Sequence, residues 1–292
     1  MNRPALWLLA TMPGDPARPN EDFAGVLGSC AILLDGSGAP GDLPTGCVHG
    51  VPWFVRQLGA RCLAQMAAGE PNEPLDGILA TAITEVSALH QDTCDLQSPG
   101  TPSSVLVMAR IGSETLDWLV LGDVALVVED TSGGIEVITD QRMDKVAVNE
   151  YQAMLALPTG IPEHQAARIA YVRAQQPWRN RPGGYPVAST DPGAAVQAVT
   201  GSIPAKDALR AAMVSDGVTR FAEFGLGTWS DLLDILAAAG PGALFARIRT
   251  SESTDPRGKR WPRAKRHDDV GVVFWENQAQ HTSRLPVPQR AA

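Results

Sequence analysis

The chain has 292 residues, of which 44% are hydrophobic and 19% charged, and its formal net charge is −8. This size and apolar content support one large domain or two small ones around a sizeable core. The negative balance argues against nucleic acid as a partner, because phosphate backbones select basic surfaces. No apolar stretch is long enough to cross a bilayer, so no membrane partner is expected.

In chain order, "ALWLLATM" (5–12) reads as a first strand; it lacks the small-x-small cleavage site of a secretion signal. A Pro/Gly-rich loop follows, then a strand over about 24–34 that ends at "DGSG". Segments 50–68 and 73–95 carry helical periodicity. "SSVLVMARIG", "TLDWLVLGDVALVVED" and "GIEVITD" read as a three-stranded antiparallel run. A short helix is expected over 149–157, a strand over 166–175, a loop over 176–186 and a short helix over 191–200. "DALRAAMV" is a strand, helices follow over 229–239 and 241–252, and the last strand covers 270–275. One domain is expected over 1–276, with a polar, disordered tail over 277–292. Strands in hairpins followed by helices suggest an α+β fold with antiparallel sheets.

Cys30, Cys47, Cys62 and Cys94 are widely spaced, with no C-x-x-C pair. The expectation is reduced thiols in a cytoplasmic protein, without a disulfide frame or a zinc knuckle. His49, His90, His164, His267 and His281 read as isolated, without ligand spacing.

The acids are less ordinary. Asp35 and Asp216 follow apolar runs, each before a glycine, and either alone is explained as a turn. Asp123 sits inside an apolar run, where a charge is excluded unless it is paired or binds metal. Asp268 and Asp269 stand side by side before a strand, and Glu21 and Asp22 before another. If these strand ends converge, the carboxylates raise one another's pKa. A hard divalent cation removes that conflict, and oxygen ligands suit Mg²⁺, Mn²⁺ or Ca²⁺.

In order, "RPNEDF", "LLDGSG", "TPSSVLVMARI" with "LVLGDVALVV", "MVSDGV" and "HDDVGVVF" resemble the PPM (protein phosphatase 2C-like) family of metal-dependent serine/threonine phosphatases. "VITDQR" also sits where that family has a similar segment, and "WRNRPGGYPVASTDP" resembles a bacterial branch. The resemblance covers about residues 5–275. It implies an α-β-β-α sandwich, two packed antiparallel sheets flanked by helices. It further implies two ions, Mg²⁺ or Mn²⁺, with room for a weaker third. By position, Asp35 would bridge the two ions, and Asp216 and Asp268 would hold the first. Glu21 and the Gly36 carbonyl would serve the second, and Asp123 would help to hold the third. Asp22 would stand behind the ligands and orient bound water, and Arg18 would grip phosphate. The implied chemistry is attack of a metal-bridging hydroxide on a phosphoserine or phosphothreonine of a protein. The implied partner is a phosphorylated substrate, such as a regulator or a protein phosphorylated by a bacterial Ser/Thr kinase.

The chain departs from the family pattern at several points. Arg18 lies one residue closer to the acid pair, Ser37 follows the "DG" where many members carry histidine, and Ala39 replaces a glycine. These departures keep open an alternative: a weak or inactive pseudophosphatase that binds a phosphorylated partner. Other phosphatase chemistries lack their signatures. The positions six after the four cysteines are Gly36, Trp53, Ala68 and Gly100, so no Cys-x5-Arg site exists. There is no P-loop lysine motif and no G-x-S-x-G elbow. The basic run from Arg257 to Arg266 reads as a solvated loop or as a docking patch for an acidic partner.

Overall fold

The computed structural model describes residues 6–38, 40 and 43–277. Ala39 and the tail beyond Asn277 lie outside the described residues. Ten strands make two five-stranded sheets. Sheet one runs β1 (Leu6–Met12), β10 (Val270–Glu276), β9 (Ala208–Val214), β6 (Ala125–Asp130) and β7 (Ile135–Ile138). Sheet two runs β2 (Phe23–Leu27), β3 (Cys30–Ser37), β4 (Ser103–Ile111), β5 (Thr115–Leu121) and β8 (Val199–Pro204). Neighbouring strands pair antiparallel in both sheets.

Alternation of side chains along each strand builds the layers. Ile32 and Leu34 of β3 pack under α1 (Val51–Ala68) and α2 (Leu75–His90). Ala31 and Leu33, on the opposite face, meet the other sheet. Both faces are covered, which is why "AILL" reads as a continuous apolar run. On the far side, Val127 of β6 and Ala212 and Val214 of β9 pack with Val218 and Phe221 of α5 (Asp216–Glu223) and Leu232 and Ile248 of α6 (Trp229–Thr254). Full burial of each such Leu or Ile contributes about 1.5–3 kcal/mol. The result is the expected α-β-β-α sandwich. α6 breaks at Gly240, which has φ 74° and precedes Pro241, so the segment is two helices in tandem, as the sequence suggests. No helix among the described residues is long and apolar enough to cross a membrane.

Four expectations need correction. The strand expected over 24–34 is a hairpin, β2 and β3, turning at Gly28 with φ 61°. The three-stranded run is instead a crossing: β5 belongs to one sheet and β6 to the other, and the chain changes sheets at Gly122–Asp123. Gly122 has φ 82°, and a Cβ there would lie 2.1 Å from Val105 Cγ1, so no other residue fits this corner. The strand expected over 166–175 is part of helix α4 (Pro162–Gln175), which lies against α3 (Val148–Leu155). Its start signals, Pro162 at the first turn and Glu163 beside it, outweigh the β-like alternation of "RIAYV". The helix expected over 191–200 is a 3₁₀ turn over Pro192–Gln197 that leads into β8.

Candidate active site

Both sheets present strand ends at the same end of the sandwich, and the acids gather there. Asp35 lies near the end of β3, and Asp216 opens α5 directly after β9. The Asp216 backbone N–H donates to Asp35 Oδ2 at 3.2 Å, a contact between one sheet and the other. At Gly36, an added Cβ would meet the Glu21 carbonyl and Val51 Cγ1, each at 2.4 Å. Only glycine lets the Glu21 backbone approach β3 this closely.

The loop over 13–22 is pinned to the strand entrance by Asp269. Its carboxylate accepts the Gly14 and Glu21 backbone N–H groups, at 2.7 Å each. These are charge-assisted bonds. Asp269→Ala is therefore expected to lower unfolding free energy by about 2–4 kcal/mol, read as a fall in urea midpoint, with Asp269→Asn losing less. A midpoint unchanged in Asp269→Ala would show that the loop is held by something else.

The electrostatics follow from crowding. Burial, then Asp216, Asp22 and Asp268, push the Asp35 carboxyl well above its ordinary range. Burial and the neighbouring Asp268 push Asp216 up to about 6. Burial, then Asp216, with Asp144 and Asp140 beyond, push Asp123 up to about 7. Asp22 is 7% exposed, its pKa is raised chiefly by burial, and its Oδ2 has no hydrogen-bond partner. Glu21 is raised by burial too. Asp144, within the 3₁₀ turn Met143–Lys145, belongs to this group: burial and Asp140 raise it.

Asp268 behaves differently. Burial opposes its ionisation, yet Lys265 Nζ at 2.5 Å from Oδ1 and Arg220 at 3.0 Å from Oδ2 outweigh burial and hold its pKa low. Arg220 is itself anchored by Glu252, which is fully buried and also accepts from Arg249 at 2.8 Å and pairs with His267 at 2.7 Å. Both oxygens of the expected ligand Asp268 thus carry cationic partners. Arg18 lies on the outer loop, 81% exposed, 3.7 Å from Asp15. Arg168 of α4, missed in the sequence because its segment read as a strand, feels the charges of Asp268, Glu21 and Asp216.

The basic run is only partly a solvated loop. Arg263 is buried and bonded to Asp255 and to the Glu252 carbonyl, and Lys265 turns to Asp268. Arg257, Lys259, Arg260 and Arg266 remain exposed. The four cysteines are free thiols, as expected, but the reading of the histidines as isolated fails for His49 and His90. Cys47, His49, His90 and Cys94 converge, with one ligand-capable atom from each lying within 4.8 Å of the others. The sequence hid this because the two pairs, C-x-H and H-x3-C, lie in separate segments.

The donor set at the acid cluster fits a hard divalent cation. Asp35, Asp216, Asp123 and Glu21 offer oxygen atoms, mutual repulsion disfavours their joint ionisation, and Asp22 Oδ2 is buried and unpaired. The compensation by Lys265 and Arg220 is spent on Asp268.

No protein-family profile matches the chain, and no curated protein sequence matches it. Solved structures do. The Mycobacterium tuberculosis serine/threonine phosphatase PstP/Ppp is 17% identical, with TM-score 0.58, covering 94% of this chain and 99% of that one. Stp1 from Staphylococcus aureus, a serine/threonine phosphatase, is 15% identical, with TM-score 0.55 and coverage of 94% and 95%. The catalytic domain of PstP in complex with two manganese ions is 16% identical, with TM-score 0.55 and coverage of 94% and 98%. Such identities speak for architecture, and by architecture this chain has the fold of the bacterial PPM serine/threonine phosphatases.

Proposed function

We propose that the chain is a Mg²⁺- or Mn²⁺-dependent phosphatase that hydrolyses phosphoserine and phosphothreonine in proteins, within bacterial signalling. The observation that carries this reading is the meeting of Asp35, Asp216, Asp22 and Asp123 from both sheets, with pKa values pushed up by burial and by one another. A cation bound there supplies Lewis-acid polarisation of a phosphoryl group and a nucleophile at neutral pH. The chain's own residues hold the ligands in place. Asp216 N–H fixes the Asp35 carboxylate, Asp269 fixes the Glu21 backbone, and Gly36 leaves room for it. The α3–α4 pair borders the acids: Tyr151 feels Asp216 and Asp123, and its ring lies 5.1 Å from Tyr171. Substrate would enter beside this pair, where Arg168, which feels the charges of Asp268, Glu21 and Asp216, would meet the phosphate dianion. The test is hydrolysis of p-nitrophenyl phosphate and of a phosphothreonine peptide with Mn²⁺, before and after chelation. Chelator-insensitive hydrolysis, or none with Mn²⁺ present, overturns the reading.

Arg168→Ala is expected to raise KM for the phosphopeptide about tenfold or more, the loss of one charge-assisted contact, while Arg18→Ala has a smaller effect. A larger effect of Arg18→Ala than of Arg168→Ala would place the phosphate at the outer loop.

A second reading rests on Asp268. With Lys265 and Arg220 on both its oxygens, the site holds fewer cations and binds a phosphorylated partner without turnover. Calorimetric titration with Mn²⁺ separates the readings: two or more ions favour the enzyme, while phosphopeptide binding without bound Mn²⁺ and without hydrolysis favours the pseudophosphatase.

A further inference from the structure

On the helical side of sheet two, four side chains with affinity for soft metals meet. Cys94 Sγ lies 3.4 Å from Cys47 Sγ and 3.4 Å from His49 Nδ1. Cys47 Sγ lies 3.7 Å from His90 Nδ1 and 3.9 Å from His49 Nδ1. Zinc bonds of about 2.3 Å to sulfur and about 2.0–2.1 Å to nitrogen place tetrahedral neighbours about 3.4–3.8 Å apart. Three of these four edges fall in that range, Cys47–His49 at 3.9 Å lies just beyond it, and all four ligand atoms lie within 4.8 Å of one another. These spacings do not match a disulfide, whose sulfurs lie about 2.05 Å apart. We propose that Cys47, His49, His90 and Cys94 form a structural Zn²⁺ site with all four positions filled by protein ligands.

The surroundings are built for it. His90, the last residue of α2, is 1% exposed, and it is its Nδ1 that faces the thiol of Cys47. Trp53 of α1 stacks on His49 at 4.3 Å between ring centres and lies 5.1 Å from His90, which fixes both rings and shields one side. The backbone is shaped as well. Gly46, at φ 71°, gives its carbonyl to the Asp95 N–H at 2.8 Å, and the Cys47 N–H donates to Thr45 Oγ1 at 3.2 Å. A side chain at Gly46 would meet Ser98 Cβ at 2.4 Å.

The ligands come from two segments 47 residues apart, so an ion there ties the stretch leading into α1 to the end of α2. α1 begins at Val51, whose side chain lies against Gly36 and Gly38. Zinc would thereby brace the wall beside β3 without joining the reaction.

The test uses the full chain, untagged and purified without chelator. Elemental analysis is expected to find about one zinc per chain in the wild type and in Asp35→Asn/Asp216→Asn, and under about a tenth in Cys47→Ser/Cys94→Ser. X-ray absorption on the wild-type zinc protein is expected to give two sulfur and two nitrogen neighbours. Cobalt-loaded wild type should show thiolate charge-transfer bands and strong tetrahedral visible bands. The spectroscopy needs no variant, so misfolding of the double serine protein leaves the question decided. The proposal is overturned by zinc with oxygen and nitrogen neighbours alone, by zinc content that follows Asp35 and Asp216, by a Cys47–Cys94 disulfide in the purified chain, or by metal-free thiols after growth with zinc.

Discussion

Asp216→Asn and Asp35→Asn are expected to fold, to lose chelator-sensitive phosphatase activity, and to stabilise the metal-free protein. Lewis-acid stabilisation of a phosphoryl group contributes several kcal/mol, and each 1.36 kcal/mol is tenfold in rate, so kcat should fall about a thousandfold or more. The opposite sign for stability follows from the same cause. Asp216 is shifted from 3.8 to about 6, so at neutral pH its ionised form is disfavoured in the folded chain. A shift of roughly two units corresponds to about 3 kcal/mol, which partial solvent access reduces to about 1–2 kcal/mol. An amide in its place is relieved of that repulsion. The measurements are p-nitrophenyl phosphate turnover with Mn²⁺ and urea unfolding in chelator. An active Asp216→Asn protein contradicts the proposed role. A variant less stable than wild type in chelator contradicts the repulsion.

The metal-free protein is expected to lose stability as pH rises between about 4 and 7, and Mn²⁺ should flatten or reverse that slope. The sign comes from the raised carboxyls. Below 3.8 both states are protonated at Asp216 and Asp123, and their contribution is fully present. As pH rises the unfolded chain ionises first, while the folded chain keeps its protons until about 6 at Asp216 and about 7 at Asp123. The folded state then binds more protons, so unfolding free energy falls, by about 2–4 kcal/mol for the pair after allowance for solvent access. Asp268, held low by Lys265 and Arg220 against its burial, acts in the other direction and below this window. Thermal midpoints of chelated and Mn²⁺-loaded protein across the window supply the check. Rising stability of the chelated form would show that the acids are not mutually strained.

The sandwich was legible because each buried strand carries its own pattern. The fully apolar "AILL" and "AAMV" could only lie between two covered faces, and Asp35 and Asp216 marked where those faces end. The convergence of the acids was legible for the same reason, since charges at the ends of apolar runs need a common cause. Other features were hidden because tertiary partners decide them. The β5–β6 run looked like one meander, and only the positive φ of Gly122 against Val105 sends it to the other sheet. Arg168 was invisible while its helix passed for a strand. Lys265 lay within a run that reads as a solvated loop or docking patch, Arg220 carries no sequence signal of its own, and only the fold puts both on Asp268. Cys47 with His49, and His90 with Cys94, form a set only because α2 brings its end back to the segment before α1.

The hop of the chain at Gly122–Asp123 and the Asp216–Asp35 hydrogen bond place the acids on a seam between two packed slabs. Sliding one slab past the other by an ångström would change every oxygen spacing across that seam. Pulling force, pressure or a protein leaning on the outer helices should therefore register as altered cation affinity, and loading the seam should in turn rivet the slabs together.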